Sequence, residues 1–388
     1  MNNEFEMIAK TFKGLEEVLA KELVDLGANN IQIQRRAVSF TGNLKLMYEA
    51  NYHLRTASRI LKPILTFRAK DADEIYTQVK KFNWEKFMNL STTFAIDSTV
   101  FSDDFRHSKF VSYRVKDGIA DFFTEKYDKR PNVSIDNPKL MINVHIAQNQ
   151  CTISLDSSGD SLHKRGYRER QTEAPINEAL AAGMLLLAGW DGKMNFIDPM
   201  CGSGTFLIEA ALIALNIPPG IYRENFAFEN WLDFDLELFE LVCNDDSAER
   251  EFEYRIYGSD ISIQAVKTAE RNIRGAGLGK YISVQALPLK DLEIPDGKFL
   301  MVTNPPYGER ISPKNISEIY KTLGTVLKHK FAGNSAWVIS SNEEFLHKIG
   351  LKPSKKIELL NGSLECLYCK YEIFEGKRNE FLRKKQNR

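Results

Sequence analysis

The first 157 residues alternate between patterns typical of short strands and patterns typical of amphipathic helices. Alternating apolar and polar positions predict strands at residues 4–9, 31–41, 64–67, 93–100, 141–146 and 151–155. Apolar positions repeated every three or four residues predict helices at residues 15–26, 44–52, 71–82 and 109–127. Because this half contains no cluster of catalytic residue types, we expect an α+β module appended to a catalytic domain.

The second half of the chain alternates strand and helix patterns in the order typical of a parallel sheet. Strand patterns occupy residues 195–198, 254–257, 282–287, 299–302, 336–340, 356–360 and 364–374. One helix pattern ends at residue 187, and others occupy residues 206–215, 263–273 and 317–328. The last two strands follow each other without a helix, so we predict an α/β sheet that ends in an antiparallel hairpin.

Length and composition are those of a water-soluble protein with two or three domains. The chain has 388 residues, of which 43% are hydrophobic and 27% are charged. It has no run of about 18 apolar residues, and its N-terminus lacks the apolar centre of a signal peptide. Cys366 and Cys369 form a C-x-x-C without a second pair or a nearby histidine. We therefore expect a cytoplasmic enzyme with no metal and no membrane partner, of unknown oligomeric state.

The formal net charge of zero conceals an uneven distribution. Residues 224–253 hold eleven of the 52 acidic and one of the 52 basic residues, which leaves a basic surplus of ten elsewhere. Residues 54–70 carry five Lys or Arg and no acid, and a second cluster contains Lys164, Arg165 and Arg168. Such clusters are candidate contacts for nucleic-acid phosphates. For any single cluster, solvated surface charge is the commoner explanation.

A short motif, Asn304-Pro305-Pro306-Tyr307, directly follows the buried strand pattern at residues 299–302. The two prolines end the strand and stiffen the segment, so we expect the motif at the carboxyl end of a parallel strand. In open α/β sheets, ligands bind beyond these strand ends. A turn without function would use similar residue types.

The residue types of this motif suit methyl transfer to the exocyclic amine of a nucleobase. The nitrogen lone pair is delocalised into the ring, so the amine is a poor nucleophile until acceptors hold its hydrogens. The side-chain oxygen of Asn304 and the carbonyl of Pro305 could hold both, and Tyr307 offers a face on which the base can stack. Most of the rate would then come from orientation, without a strong base.

A second motif joins the strand pattern at residues 195–198 to the next helix. It reads Asp198-Pro199-Met200-Cys201-Gly202-Ser203-Gly204-Thr205. The small residues allow close approach of the backbone to a ligand, but the G-x-G-x-x-G spacing of a pyrophosphate cradle is missing. A ligand without phosphates fits better, and the amino-acid end of S-adenosylmethionine matches a helix N-terminus beside the Asp198 carboxylate.

Asp260 marks the end of the next strand pattern. An acidic residue at this place can accept both hydroxyls of a ribose, in nicotinamide and in adenosyl cofactors alike. The acidic residues 224–253 form an insertion between the glycine turn at residues 198–205 and this strand. This acidic insertion explains why Asp260 lies so far along the chain from the glycine turn. We expect the aromatic residues of that insertion to pack with one another rather than to stack on nucleotides.

Taken together, the motifs resemble those of a known enzyme family. From about residue 160 onward, DPMCGSGTFLIEAA, GSDIS and NPPYGER resemble the class I S-adenosylmethionine-dependent RNA methyltransferases. They are most similar to the THUMP-containing, RlmL-like enzymes that methylate guanine N2 in 23S ribosomal RNA. The elements of the first half resemble a ferredoxin-like domain followed by a THUMP RNA-binding domain.

The resemblance implies three domains and a set of site residues. The domains would span residues 1–55 (ferredoxin-like), 56–157 (THUMP) and 158–388 (a Rossmann-like methyltransferase domain with a seven-stranded sheet). The target amine would be held by Asn304, Pro305, Pro306 and Tyr307. The cofactor would be bound by Asp198, Pro199, Cys201, Gly202, Ser203, Gly204, Thr205, Asp260, Ile261, Ala286, Leu287, Ile176 and Asn177. Ala286 is a departure, because many relatives have an acidic residue there.

The implied activity is methyl transfer from S-adenosylmethionine to N2 of a guanosine in RNA, with 23S ribosomal RNA as the expected substrate. A transfer RNA guanosine, or N6 of adenine in DNA, would present the same kind of amine to Asn304 and Pro305. Only the appended module favours RNA over DNA. A non-catalytic RNA-binding factor with a degenerate cofactor pocket is the remaining alternative.

Overall fold

The computed structural model describes residues 4–103, 105, 107–168, 175–307 and 313–374. The chain forms two compact units. Unit 1 consists of Met1–Thr11, Ala20–Lys164 and Arg223–Asp245. Unit 2 consists of Phe12–Leu19, Arg165–Tyr222 and Asp246–Arg388. Each unit contains one seven-stranded sheet, and the two are described separately below.

Unit 1 is built on a mainly antiparallel sheet. Its strands are β1 (Phe5–Lys10), β2 (Asn29–Gln34), β3 (Ala37–Gly42), β4 (Arg59–Arg68), β5 (Phe94–Phe101), β6 (Leu140–Ala147) and β7 (Gln150–Asp156). The helices in this part of the chain are α1 (Glu16–Asp25), α2 (Leu44–His53), α3 (Ala72–Lys81) and α4 (Ser108–Tyr127). The strand order is β2-β3-β1-β4-β7-β6-β5, so β4 joins the first strands of the chain to the later ones.

Strand β4 is longer than the four residues predicted for it. Its register with β7 shifts between Pro63 and Leu65. Proline has no N–H to donate, so it is tolerated in a strand at such an irregularity. The shift also breaks the alternation of apolar and polar residues, which explains why the pattern revealed only the end of this strand.

Unit 2 is built on a mixed sheet with the predicted terminal hairpin. Its strands are β8 (Asn195–Asp198), β9 (Ile256–Asp260), β10 (Ile282–Ala286), β11 (Phe299–Thr303), β12 (Ser335–Ser340), β13 (Lys355–Asn361) and β14 (Leu364–Glu372). The order is β10-β9-β8-β11-β12-β14-β13, with β14 antiparallel to its neighbours β12 and β13. The predicted class I methyltransferase sheet is confirmed. Its order reverses direction between β8 and β11, where α/β proteins bind ligands.

The helices of the second half are α5 (Glu178–Leu187), α6 (Thr205–Leu215), α7 (Leu236–Cys243), α8 (Ile263–Gly275), α9 (Pro313–Lys330) and α10 (Glu343–Lys348). All eleven residues of α6 are buried, as are most residues of α5. Both helices belong to the core cluster of unit 2, together with Phe196, Trp337 and Tyr368. Because α6 is surrounded by core, its N-terminus has a fixed position relative to the sheet.

Helix α7 lies in the acidic insertion and belongs to unit 1. The rings of Phe228, Phe234 and Phe239 have their centroids 4.5–6.0 Å from that of Tyr48 on α2. The Phe239 ring also lies 5.0 Å from Phe228 and 6.1 Å from Phe234, so these aromatic residues of the insertion pack with one another, as expected. Among the helices of the described ranges, none is both long enough and apolar enough to cross a membrane.

Candidate active site

The glycine turn between β8 and α6 has a backbone shape that glycine adopts at little cost. Gly202 and Gly204 have φ angles of 52° and 84°, in the left-handed region. A Cβ atom on Gly204 would lie 3.2 Å from the Cβ of Ala269 on α8. Gly204, the N-cap residue of α6, has no side chain that could cap the helix N-terminus. The first N–H groups of this helix are therefore open to an anionic ligand, such as the carboxylate of an amino acid.

Asp260, the last residue of β9, is bound to this turn. Its Oδ2 accepts a hydrogen bond from the Gly202 N–H at 3.0 Å, and its Oδ1 accepts one from the Ser262 N–H at 2.9 Å. A further hydrogen bond runs from the Cys201 N–H to the Ser259 carbonyl at 2.9 Å. The structure thus brings together two of the three predicted motifs.

Apolar surface lies beside Asp260. The next residue, Ile261, is 76% exposed. On β10, Ala286 is exposed and lies opposite Asp260, and the Leu287 N–H donates to the Asp260 carbonyl at 3.0 Å. A carboxylate next to exposed apolar groups matches a ribose that carries a flat base. These residues fit the adenosyl half of S-adenosylmethionine.

Asp198 connects the glycine turn to the third motif. Its carboxylate is 1% exposed, and Oδ1 accepts hydrogen bonds from Thr303 Oγ1 at 2.7 Å and from the Met200 N–H at 3.1 Å. Burial raises the pKa of Asp198 to about 7, although both hydrogen bonds favour the charged form. Because Thr303 directly precedes Asn304, this contact places the Asn304 motif next to the glycine turn.

The side-chain oxygen of Asn304 is a hydrogen-bond acceptor that has no donor among the described residues. Its Oδ1 is buried and accepts no hydrogen bond from any residue that the structure describes. Leaving a buried amide oxygen unsatisfied costs about 1–3 kcal/mol, so a ligand that donates to this atom would recover that cost. The next residue, Pro305, is buried, and Pro306 is half-buried. The arrangement suits a ligand that brings its own N–H group to Asn304.

Tyr307 is held by the terminal hairpin. The ring is half-buried and packs against the core of unit 2. Its hydroxyl accepts a hydrogen bond from Asn361 Nδ2 at 2.7 Å, and Cys366 Sγ lies 4.0 Å away. Burial raises the pKa of the phenol, so the hydroxyl is neutral near pH 7. The ring thus has a fixed orientation, and no sequence pattern pointed to Asn361 as its partner.

Two of the three predicted RNA contacts are buried in ion pairs. Arg165 has 2% of its side chain exposed, and its Nε lies 3.5 Å from Glu209 Oε1. Arg168 has 8% exposed, and its Nε lies 2.5 Å from Glu178 Oε1. The structure therefore does not support RNA contacts by Arg165 and Arg168, because neither guanidinium faces solvent. Lys164 is 60% exposed and pairs with Asp160 at 3.0 Å, so its predicted contact stays a prediction.

The remaining predicted cofactor residues, Ile176 and Asn177, precede α5. Asn177 Oδ1 caps that helix by accepting from the Ala179 and Leu180 N–H groups at 3.0 and 3.2 Å. Arg168 Nη2 donates to the Ile176 carbonyl and to Thr205 Oγ1, both at 2.9 Å. This guanidinium brings the segment before α5 next to the start of α6.

Sequence patterns did not point to Asn272. Its side chain is buried, and its Nδ2 donates to the Ser203 carbonyl at 3.0 Å, which supports the glycine turn from α8. An asparagine inside a helix pattern was the available signal. Within the described ranges, no group of three or more His, Cys, Asp or Glu is arranged to hold a metal ion.

Three family profiles match the chain. The RMKL-like methyltransferase domain matches residues 165–370, the THUMP domain matches residues 69–156, and the RlmL ferredoxin-like domain matches residues 6–61. Together they extend over both units.

Two curated relatives are similar along nearly the whole chain. A Synechocystis protein described as a "putative RNA methyltransferase" is 37% identical over 94% of this chain and 96% of its own length. The ribosomal RNA large subunit methyltransferase K/L of Syntrophotalea carbinolica is 38% identical over 97% of this chain. The chain spans only 54% of that second relative.

Two solved structures are similar to this chain along nearly its whole length. SMU.472, crystallised with SAH, has a TM-score of 0.87 and 31% identity over 97% of this chain and all of its own. A methylase structure from Clostridium difficile has a TM-score of 0.88 and 34% identity, over the same shares of the two chains. The resemblance inferred from the motifs is confirmed. The chain belongs to the RMKL-like family of class I S-adenosylmethionine-dependent methyltransferases, with RlmL ferredoxin-like and THUMP domains in its first half.

Proposed function

We propose that the protein methylates the exocyclic N2 of a guanosine in RNA, with 23S ribosomal RNA as substrate. The observation that carries the proposal is the buried Asn304 Oδ1, which lacks a donor among the described residues. An exocyclic amine supplies such a donor. The Pro305 carbonyl would accept the second hydrogen, so that the lone pair points away from both acceptors.

The cofactor is S-adenosylmethionine, which supplies an electrophilic methyl group when bound. We propose that the glycine turn from Asp198 to Thr205 and the Ile176-Asn177 segment hold its methionine end. Asp260 would accept the ribose hydroxyls, and Ile261, Ala286 and Leu287 would contact the adenine. The Gly202 N–H that binds Asp260 at 3.0 Å would orient this carboxylate toward the ribose.

RNA is favoured as the substrate by the first half of the chain. The THUMP profile matches residues 69–156, and the Syntrophotalea relative is named for ribosomal RNA. We propose the division into residues 1–55, 56–157 and 158–388 for the three domains. A structure from Listeria monocytogenes that is 30% identical, with a TM-score of 0.85, is named as a predicted DNA adenine methylase. DNA must therefore be tested alongside RNA.

The proposed function is tested by labelled methyl transfer. The protein is incubated with labelled S-adenosylmethionine and with ribosomal RNA, transfer RNA or DNA, each from cells that lack this protein. We expect label in 23S ribosomal RNA, recovered as N2-methylguanosine after digestion to nucleosides. Label in transfer RNA would change the substrate, and N6-methyladenine in DNA would overturn the proposal.

Replacing Asn304 tests the acceptor directly. We expect Asn304→Ala to lower kcat/KM at least about 100-fold, the loss typical when one preorganised partner of the reacting group is removed. SAH affinity, measured by calorimetry, should stay within about threefold because Asn304 holds the amine rather than the cofactor. Asn304→Asp keeps an acceptor oxygen and should retain more activity than alanine. Exposed Asn244 provides the control variant, Asn244→Ala. Near-native turnover of Asn304→Ala would contradict the assigned role.

A further inference from the structure

The segment that contains Arg165 and Arg168 lies against helix α6. Thr205 and Glu209 are four residues apart on α6, so they share one face of the helix. Arg165 and Tyr167 approach Glu209, with the Tyr167 hydroxyl 3.0 Å from Glu209 Oε1. Arg168 approaches Thr205, one turn nearer the glycine turn. The segment therefore contacts two successive turns of a buried helix.

Arg168 binds three partners that come from two different parts of unit 2. Its Nε lies 2.5 Å from the Glu178 carboxylate at the start of α5. Its Nη2 donates to the Ile176 carbonyl, just before α5, and to the Thr205 hydroxyl at the start of α6. The guanidinium places Nε beside Glu178 and Nη2 between the other two partners, whereas an ammonium group is a single point on a flexible stem. Lysine would not reproduce this arrangement.

The two parts joined by Arg168 are both segments that we propose to contact the cofactor. Thr205 directly follows Gly204, and Ile176 precedes the cap residue of α5. The side chain of Arg168 is only 8% exposed, so its position is set by these contacts rather than by solvent. Because the side chain is buried, a substitution of Arg168 acts on these two segments rather than on the protein surface.

We propose that Arg168 is a positioning residue for the cofactor site: it sets the distance between the Ile176-Asn177 segment and the glycine turn. It acts through Ile176 and Thr205 and does not contact RNA. The inference rests on the cofactor site and is independent of which nucleotide the enzyme methylates. A buried ion pair that merely stabilised the fold would behave differently, because its loss would lower stability without changing the cofactor affinity of the folded protein.

The test is SAH binding by calorimetry to the full chain with Arg168→Lys. This variant keeps a positive charge, but its single nitrogen cannot occupy both the Nε position beside Glu178 and the Nη2 position that bridges Ile176 and Thr205. We expect the Kd for SAH to rise about tenfold, equivalent to about 1.4 kcal/mol. The control is Arg165→Lys, which alters a buried ion pair that involves Glu209 instead, and whose SAH affinity should stay within about twofold of native. RNA affinity, measured by filter binding without cofactor, should be unchanged in both variants.

A second variant keeps the inference testable if Arg168→Lys does not fold. Thr205→Val replaces the hydroxyl that Arg168 binds with a methyl group, and it should weaken SAH binding by itself. Because Thr205 is also a proposed cofactor contact, the double variant identifies the part of this loss that acts through Arg168. Where both single variants fold, the double variant should lose less binding free energy for SAH than the sum of the losses in the two single variants. Native SAH affinity in Arg168→Lys, or in Thr205→Val, would overturn the inference, as would a loss of RNA affinity with SAH binding intact. Failure to form N2-methylguanosine in a protein that binds SAH would count against the proposed function alone.

Discussion

The carboxylate of Asp198 holds the glycine turn and the Asn304 motif together through one oxygen atom. The Thr303 hydroxyl and the Met200 N–H both donate to this oxygen, yet burial still raises the pKa of Asp198 to about 7. In the unfolded chain an aspartate has a pKa of about 3.9. Between about pH 4 and pH 7 the native state therefore holds a proton that the unfolded state has released. The native state loses stability as the pH rises through this range.

We expect this loss to disappear in Asp198→Asn, which cannot ionise but can still accept from Thr303. From about pH 4.5 to 7.5, the free energy of unfolding of the native protein should fall relative to that of the variant. The fall should be on the order of 1–4 kcal/mol, with no further change above pH 8. Urea denaturation of both proteins without cofactor, at a series of pH values, measures the difference. A difference that does not change with pH would show that the Asp198 pKa is not raised in the folded protein.

Among the elements of unit 2, the hairpin of β13 and β14 contacts Tyr307. Asn361, the last residue of β13, donates to the Tyr307 hydroxyl, and Cys366 of β14 lies beside the same atom. Tyr307 also packs against the core, so its ring has a structural task as well as the proposed stacking task. Packing alone and stacking on the base predict different effects of the same substitutions at Tyr307.

If the ring stacks on the target base, Tyr307→Ala should raise the KM for RNA about tenfold to 100-fold, since stacking contributes about 1–3 kcal/mol per base. Tyr307→Phe keeps the ring face and should change the KM only slightly. Asn361→Leu should have an intermediate effect because the ring loses its tether. Steady-state kinetics at saturating S-adenosylmethionine, with SAH affinity as the control, separates these cases. An unchanged KM in Tyr307→Ala would mean that the ring only packs.

At the scale of the whole molecule, ion pairs within unit 1 reduce the number of basic groups available to RNA. In the cluster at residues 54–70, Arg55 is 8% exposed, Arg59 pairs with Asp156, and Lys62 pairs with Asp233 at 3.3 Å. Arg68 and Lys70 are exposed. Of this cluster, we therefore expect only Arg68 and Lys70 to contact phosphates.

Reversing both charges, in Arg68→Glu with Lys70→Glu, should weaken RNA binding. It should also reduce the slope of log K against log salt by about 1–2, since each lost phosphate contact removes about 0.7–0.9 from the slope. Lys193→Glu is the matched control, because Lys193 is an exposed lysine of unit 2 with 78% of its side chain accessible. Filter binding between about 50 and 200 mM salt provides the slopes. Equal slopes for the native and doubly substituted proteins would exclude these two residues as phosphate contacts.

A long helix was predictable from its periodicity, and a six-residue helix was not. The helix predicted at residues 109–127 is found at Ser108–Tyr127, because twenty residues repeat the apolar period several times. Helix α10 was missed, since six residues make fewer than two turns and show no period. Its cap residue, Asn342, accepts from the Glu344 and Phe345 N–H groups and was a local signal for the start of this helix.

The sequence by itself determined the fold class and the positions of the three motifs. These depend on local properties: apolar periodicity, the left-handed φ that Gly202 and Gly204 adopt, and the prolines that end β11. Only the tertiary structure decided the partners of the site, such as Thr303 for Asp198, Asn272 for Ser203 and Asn361 for Tyr307. These partners are 54–105 residues apart along the chain, and no local pattern encodes such contacts. For the same reason, only the tertiary structure showed that the side chains of Arg165 and Arg168 are buried and do not face solvent.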